Sequence, residues 1–255
     1  MDLLQAISLG IVQGITEWLP ISSSGHLVIL QEIWGITAPV SFDLTLHLGT
    51  LVAVCTYFRR ELLEVARSVL KLETKSEPFR TALLLVVATV PAALAGYFFN
   101  DLFESLFQSL FAVGIGLLIT ASMLLFSRAG KGGKRVDIAR ALVIGAFQAA
   151  AIAPGISRSG MTISSALLSG VEKTSAFRFS FLISIPVILG AFFYELPGSQ
   201  LASFGLEYLA GFLTSALVGY ASIGIVRRTV LSDRLPLFSV YCALLGILLL
   251  AYRPA

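Results

Sequence analysis

The chain has 255 residues, of which 56% are hydrophobic and 13% are charged, and its formal net charge is +3 at pH 7. A water-soluble domain carries roughly a quarter of its residues as charged side chains, so this composition argues against a soluble globular domain, a disordered chain and a nucleic-acid-binding protein. The two cysteines, Cys55 and Cys242, lie in apolar runs and do not indicate a disulfide scaffold. A mean hydropathy of +0.89 indicates an integral membrane protein.

Six apolar segments are long enough to cross a bilayer, which takes about 20 largely apolar residues. They are 40–58, 81–98, 109–127, 175–194, 206–226 and 235–252. The basic residues alternate between the loops that join these segments, so that all 18 Lys and Arg residues except Arg158 and Arg253 fall on one side. Because cytoplasmic loops carry the excess of positive charge, that side is predicted to be the cytoplasm.

Two further apolar stretches, 1–36 and 136–170, are interrupted near their middles. The interruptions are Pro20 with the Ser-Ser-Ser-Gly run at 22–25, and Pro154-Gly155 with the Ser-Arg-Ser-Gly run at 157–160. Proline disfavours helix in the residue before it, and the serines suit N-cap positions of a second short helix. Each half is too short to cross the bilayer, so both stretches are predicted to be re-entrant helix–loop–helix hairpins.

The two hairpins are related by a shift of 135 residues. The shift matches Asp2 with Asp137, Ala6 with Ala141, Gly10 with Gly145, Gln13 with Gln148, and Ser22, Ser24 and Gly25 with Ser157, Ser159 and Gly160. Each copy holds one hairpin and three spans, and an odd number of crossings inverts the second copy in the membrane. The predicted fold is therefore an all-α integral membrane protein with six transmembrane helices and two re-entrant hairpins, built as an inverted-topology repeat. Repeat 1 covers about 1–127, a basic cytoplasmic linker covers 128–135, and repeat 2 covers about 136–255.

The hairpin tips carry the residues that point to chemistry. In an inverted repeat of this kind, broken helices meet near the midplane and point their N-termini at a shared ligand. Such N-termini favour a phosphate-like anion, and here they are flanked by the hydroxyls of Ser22, Ser23, Ser24, Ser157 and Ser159. Arg158 adds a planar fork that can hold two phosphate oxygens.

The two copies differ where a reaction needs them to differ. Glu17 and His26 of the first hairpin are matched by apolar residues in the second. Glu17 lies four residues after Gln13, on the same face of a short helix, and a carboxylate at membrane depth is costly unless it is functional or paired. His26 can act as a base toward Ser23 or toward water.

Structural roles for the same residues stay open. Glu17 is also consistent with a satisfied interfacial residue near a helix end, Arg158 with a structural counter-charge to Glu17, and His26 with a capping or packing residue. Asp43 and His47 are four residues apart in the first span, and they are consistent either with support of the site or with a local polar pair. The alternatives differ in whether these side chains share one cavity.

Both hairpin tips resemble the signatures of a known family, the undecaprenyl-diphosphate phosphatases or bacitracin-resistance proteins. Residues 13–26, Gln-Gly-Ile-Thr-Glu-Trp-Leu-Pro-Ile-Ser-Ser-Ser-Gly-His, resemble the first signature, in which Glu or Gln is followed by three residues, Glu, Leu-Pro and a Ser-Ser-x-Gly-His loop. Residues 154–162, Pro-Gly-Ile-Ser-Arg-Ser-Gly-Met-Thr, resemble the second. Residues 42–50 resemble a further family segment, so the resemblance spans nearly the whole chain.

The resemblance implies a plasma-membrane phosphatase that removes the terminal phosphate of undecaprenyl diphosphate, which recycles the lipid carrier for cell-wall glycan synthesis and gives bacitracin resistance. Carried over by motif, the functional residues are Glu17, Ser23, His26, Ser157, Arg158 and Thr162, with Gln13 in support. The predicted catalytic residues are Glu17, Ser23, His26 and Arg158, and the predicted substrate-binding residues are Gln13, Ser22, Ser24, Gln148, Ser157, Ser159 and Thr162. The family also implies a divalent cation, Mg²⁺ or Ca²⁺, for which Glu17 with Gln13 would supply oxygen ligands.

Two questions stay open at this stage. The attacking group is either Ser23, activated by His26, or a water activated by His26 and Glu17. A flippase or transporter for the polyprenyl phosphate is the alternative function, because inverted repeats and broken helices are common in transporters.

The first hairpin is predicted to enter from outside, so the site is expected to face the outer side. The expected partners are the polyprenyl diphosphate lipid and the bilayer, not nucleic acid, and a homodimer is left open.

Overall fold

The structure is a computed structural model that describes residues 1–130, 132–195 and 205–252. The helices in these ranges are α1 Leu3–Thr16, α2 Ser23–Trp34, α3 Val40–Tyr57, α4 Arg59–Leu70, α5 Glu77–Phe98, α6 Asn100–Phe107, α7 Leu110–Phe126, α8 Ile138–Ala150, α9 Arg158–Leu168, α10 Lys173–Glu195, α11 Leu206–Leu231 and α12 Pro236–Ala251. A 3-10 turn follows α7. Lys131 of the predicted basic linker and the end of repeat 2 at 253–255 lie outside the described residues. Within the ranges that the structure describes, the prediction of an all-α fold is confirmed.

Four helices, α3, α5, α10 and α11, are long and apolar enough to cross a membrane. They coincide with four of the six predicted spans, and the chain is therefore a multi-pass membrane protein. The other two predicted spans are helices α7 and α12, with 17 and 16 residues. At 1.5 Å per residue each reaches about 25 Å, which is shorter than the hydrocarbon core of about 30 Å.

Both predicted hairpins are helix–break–helix units, with breaks between α1 and α2 and between α8 and α9. An aspartate caps the first helix of each unit: Asp2 accepts from the Gln5 N–H at 2.8 Å, and Asp137 accepts from the Arg140 N–H at 2.9 Å. The backbone N–H and the guanidinium of Arg140 hold the pKa of Asp137 below its usual value. The matched aspartates of the two copies are therefore equivalent N-caps.

Two segments expected to be loops are helices. In α4, Leu62, Val65 and Val69 recur every three or four residues and form one apolar face, while charged residues fill the other. A basic amphipathic helix of this kind suits the membrane interface. Helix α6 is short and lies at 103° to α7. Neither helix is long enough to be found by a search for bilayer-spanning apolar runs.

The hairpins pack across the two copies. The first helix of each hairpin, α1 or α8, packs on the second long helix of the other copy, α11 or α5. Glycines permit this approach: a Cβ added to Gly14 would lie 2.8 Å from the Gly219 nitrogen, and one added to Gly145 would meet the Ala88 carbonyl. The buried core continues beneath the first break, where Trp18 stacks on Phe181. The two tips are thereby brought together inside the molecule.

Candidate active site

The two hairpin tips line one cavity of about 240 Å³. Apolar residues of α6 and α10 form part of its wall. The polar residues that line it are Thr16, Glu17, Ser22, Ser23, Ser24, His47, Gln148, Ser157 and Arg158. The structure therefore brings seven of the predicted site residues from the two hairpins into one chamber.

An ion pair between the hairpins lies at the centre of this site. Arg158 Nη2 is 2.6 Å from Glu17 Oε1, and the two side chains are 14% and 6% exposed. The guanidinium also lies 5.3 Å above the Trp18 ring and donates to the Ser180 carbonyl at 3.4 Å. Because a buried charge is tolerated only when it is paired, each member of the pair compensates the cost of burying the other.

Ser23 lies in the first turn of α2, beside the Glu17 carboxylate. Its hydroxyl donates to Glu17 Oε2 at 2.6 Å, and Gln13 Nε2 donates to the same oxygen at 3.1 Å. With Arg158 on Oε1, the carboxylate accepts from three side chains. Since the hydroxyl proton already points at a carboxylate, Glu17 is in position to take that proton if Ser23 Oγ attacks an electrophile.

Each second helix begins at the cavity with a serine cap. Ser22 Oγ accepts from the Gly25 N–H at 3.3 Å, and Ser157 Oγ accepts from the Gly160 N–H at 3.1 Å. Ser22 has a φ of +71°, a left-handed conformation that costs a non-glycine residue on the order of 1–3 kcal/mol. The N-termini of α2 and α9 both start at the cavity, and their partial positive charge favours an anion there.

Two predicted binding residues lie behind the cavity wall. Ser159 donates to the Leu19 carbonyl at 3.2 Å, which ties the two tips together. Thr162 is fully buried, with its hydroxyl 2.6 Å from the Ser180 hydroxyl and 2.8 Å from the Arg158 carbonyl, to which it donates. Both residues therefore stabilise the turn that carries the guanidinium.

His26 does not line the cavity, and both of its ring nitrogens are within hydrogen-bond distance of other groups. Its Nδ1 lies 2.7 Å from the Ser22 carbonyl, and its Nε2 lies 2.6 Å from the Tyr241 hydroxyl, whose ring stacks on the imidazole. Because a carbonyl only accepts, Nδ1 carries a proton, and in the neutral imidazole Nε2 then accepts from the Tyr241 hydroxyl. The structure does not bring His26 into hydrogen-bond contact with Ser23, which contacts Glu17 instead.

His47 is a site residue whose role the sequence left open. Its Nδ1 is 3.0 Å from Gln13 Nε2 and 3.5 Å from Glu17 Oε2, and the side chain lines the cavity. Asp43 Oδ1 is buried and has no hydrogen-bond partner within the described ranges. His47 therefore supports the acid of the first hairpin rather than forming a local pair with Asp43. The four-residue spacing could not reveal this contact, which depends on how α3 packs against α1.

Gln148 lines the cavity from the last turn of α8 and is 1% exposed. Both atoms of its amide, Nε2 and Oε1, are buried and have no hydrogen-bond partner in the part of the chain that the structure describes. Its counterpart Gln13 uses Nε2 on Glu17 and His47. Buried polar atoms are rarely unsatisfied, so Gln148 has unused hydrogen-bonding capacity at the cavity.

Oxygen donors near Glu17 suit a hard divalent cation. Mg²⁺ is usually bound by one or two carboxylates together with substrate phosphates. Glu17 is the carboxylate, and Gln13 Oε1 is a buried amide oxygen that no described donor contacts. The described residues contain no group of three His, Cys, Asp or Glu side chains that could hold a metal. Phosphate oxygens would therefore have to complete the coordination.

Known proteins are similar to this chain over nearly its whole length. The family model described as bacitracin resistance protein BacA matches residues 6–248. An undecaprenyl-diphosphatase of Korarchaeum cryptofilum is 43% identical, over 98% of this chain and 99% of the relative. Proteins of the same name from Rubrobacter xylanophilus and Methanosphaera stadtmanae are 44% and 38% identical, over 94% and 97% of both chains, respectively.

Proposed function

Because the chain belongs to the bacitracin resistance protein BacA family, we propose that it is a membrane phosphatase that hydrolyses undecaprenyl diphosphate to the monophosphate and inorganic phosphate. One observation carries this proposal: a single cavity holds a guanidinium, two capped helix N-termini and a serine hydroxyl bound to a carboxylate. These are the parts that recognise a phosphate, stabilise its charge and supply a nucleophile. The product is the lipid carrier that cell-wall glycan synthesis reuses.

The terminal phosphoryl group lies between the two tips in this proposal. Arg158, the serine hydroxyls and the free N–H groups of α2 and α9 neutralise its oxygens. Phosphoryl transfer depends mostly on such positioning and charge stabilisation. The prenyl chain leaves along the apolar wall, where Val187, Ile188 and Phe192 line the cavity.

Binding of the diphosphate changes the partner of Arg158. The guanidinium turns from Glu17 to phosphate oxygens, which leaves the carboxylate free to act as a base. Ser23 Oγ then attacks the terminal phosphorus, its proton passes to Glu17, and the bond to the bridging oxygen breaks with its electron pair on the departing monophosphate. Water hydrolyses the phosphoserine in the second step. The hydrogen bond of 2.6 Å between Ser23 and Glu17 favours this route over direct attack by water.

His26 has a different place in the proposal from that of Glu17. Its Nε2 is the ring atom with a lone pair, and that lone pair is held by the Tyr241 hydroxyl. A base role for His26 therefore requires that the Tyr241 hydroxyl give way or relay the proton. The family implies a divalent cation, which Glu17 and Gln13 Oε1 would hold. When bound, it would polarise the phosphate oxygens.

We also propose the full membrane arrangement. Helices α3, α5, α7, α10, α11 and α12 are the six spans, and the two helix–break–helix units are re-entrant hairpins related by an inverted repeat. The equivalent caps at Asp2 and Asp137 and the exchanged packing of α1 and α8 support this arrangement. The basic side is the cytoplasm of a plasma membrane, so the first hairpin enters from outside and the site opens there. Reporter tags in the segments 99–108 and 128–140 test the two sides directly.

Phosphate release by the purified protein tests the activity. In detergent with Mg²⁺, the wild type should release inorganic phosphate from undecaprenyl diphosphate, and Ser23→Ala should be slower by at least about 100-fold. Ser222→Ala is a matched control, because Ser222 is a buried serine whose hydroxyl donates to the Val218 carbonyl of its own helix and does not line the cavity. Binding of the lipid without phosphate release by the wild type would instead favour the flippase or transporter alternative. Near-normal release by Ser23→Ala would leave water as the attacking group.

A further inference from the structure

The amide of Gln148 is the most conspicuous unused group in the cavity. Both of its polar atoms are buried without a partner among the described residues, although the side chain lines the wall beside Ser157 and Arg158. A buried unsatisfied amide destabilises a fold. Such a group in a native structure needs an explanation, and a catalytic role or a bound water that completes its hydrogen bonds provides one.

The repeat explains why this amide is free. Gln13 and Gln148 occupy matched positions in the two hairpins, and the residue four positions after each lies just past the end of its helix and lines the cavity. In the first hairpin that residue is Glu17, which accepts from Gln13 Nε2 at 3.1 Å. In the second it is Ile152, whose side chain has no hydrogen-bonding group. The amide that pairs with the protein in one copy is thus open to the cavity in the other.

The amide itself restricts what the ligand can be. Nε2 donates hydrogen bonds, whereas Oε1 accepts them. An ionised phosphate oxygen only accepts, so a phosphate alone would satisfy Nε2 and leave Oε1 unpaired. Water both donates and accepts, and a water next to the phosphate satisfies the remaining oxygen.

We propose that Gln148 holds the water that attacks phosphorus, with Oε1 accepting from that water while Nε2 donates to a phosphoryl oxygen. The inference rests on the proposed phosphatase function. The water oxygen forms a bond to phosphorus, and the bond from phosphorus to the leaving oxygen breaks with its electron pair on that oxygen. The leaving oxygen is Ser23 Oγ in the covalent route and the bridging oxygen in direct attack. One water proton goes to the leaving oxygen, and the other stays on the released phosphate.

Replacing the amide by an apolar group of similar size tests this role. Gln148→Leu should lower the kcat for phosphate release by about 100-fold, since misplacing a reactant costs about that much. The affinity for a prenyl methylenediphosphonate, whose carbon bridge resists hydrolysis, should stay within about 3-fold because Arg158 and the helix N-termini still hold the phosphates. The melting temperature without ligand should rise, because two unsatisfied buried atoms are removed.

A matched change on the same helix controls for packing. Ile144 is fully buried in α8, one turn before Gln148, and does not line the cavity, so Ile144→Leu should keep both release and affinity. Gln148→Met serves as a second apolar variant should the leucine variant be produced poorly. Release at the wild-type rate, a parallel fall in analogue affinity, or a lower melting temperature would each overturn the proposal. A wild type that releases no phosphate would instead overturn the proposed function.

Discussion

Replacing Glu17 with glutamine tests the central ion pair most directly. The change removes the charge that Arg158 faces at 2.6 Å and keeps nearly the same side-chain volume. Breaking a buried pair by removing one partner costs about 3–5 kcal/mol, and the lower end applies because the amide oxygen can still accept from Ser23. A loss of about 3 kcal/mol corresponds to a fall of roughly 6–12 °C in melting temperature for a chain of this size.

The same variant should bind inorganic diphosphate more tightly. In the wild type, Glu17 competes with the anion for Arg158, whereas in Glu17→Gln the guanidinium has no carboxylate partner. Thermal unfolding in detergent, measured with and without diphosphate, should therefore show a larger stabilisation by diphosphate in the variant. Phosphate release from the lipid should nevertheless fall by at least about 100-fold, because the base for Ser23 is lost.

Glu61→Gln is the matched control. Glu61 accepts from Arg178 at 2.5 Å, but the Glu61 side chain is 20% exposed and the Arg178 side chain is 53% exposed. Neither residue lines the active-site cavity. An exposed pair contributes at most about 1 kcal/mol, so this variant should melt and hydrolyse nearly as the wild type does. Equal destabilisation in the two variants, or the same response to diphosphate in Glu17→Gln and the wild type, would refute the exchange of partners at Arg158.

Three further changes probe the parts around this pair. Arg158→Lys should lower kcat/KM for phosphate release by at least about 100-fold, because an ammonium lacks the two-pronged fork; phosphate release near the wild-type rate would contradict the clamp. Tyr241→Phe keeps the ring but removes the hydroxyl that donates to His26 Nε2, so the ¹⁵N NMR chemical shift of Nε2 should change. The signal can be assigned because the chain has two histidines. Gly116→Ala would place a Cβ against the Pro154 carbonyl, whereas Gly190→Ala meets nothing within 4 Å; calorimetry should therefore show a lower melting temperature for the first variant alone.

The helix breaks could be predicted because they depend on local chemistry. Pro20 and Pro154 disfavour helix before them, and Ser22 and Ser157 accept from the N–H groups of the following helices as their positions indicated. The match between the copies also indicated that the two tips would meet. The matched small and polar residues predict that both hairpins follow the same backbone path, and two such hairpins entering from opposite sides place their tips in one cavity.

The side-chain contacts between different helices could not be predicted in the same way. His47 contacts Gln13, and Tyr241 contacts His26, across helices far apart in the chain. Tyr241 lies outside the segments that resemble the family, and the segments that contain His47 and Trp18 did not indicate what these two side chains contact. The register of one helix against another is decided by the summed packing of many apolar side chains, so it does not appear in any short run of residues. For the same reason, Thr162 looked like a cavity residue but lies behind Arg158.

The difference between the hairpins explains how a nearly symmetric scaffold can run an asymmetric reaction. If both copies carried a glutamate at the position of Glu17, two carboxylates would share the cavity and repel the diphosphate. Ile152 removes that second charge, and Arg158 at the position of Ser23 brings a single positive charge that balances Glu17. The resting cavity therefore holds a neutral pair instead of a charge buried alone, which lowers the cost of keeping either group at membrane depth. An incoming diphosphate offers the guanidinium a more highly charged partner, so substrate binding itself releases the base.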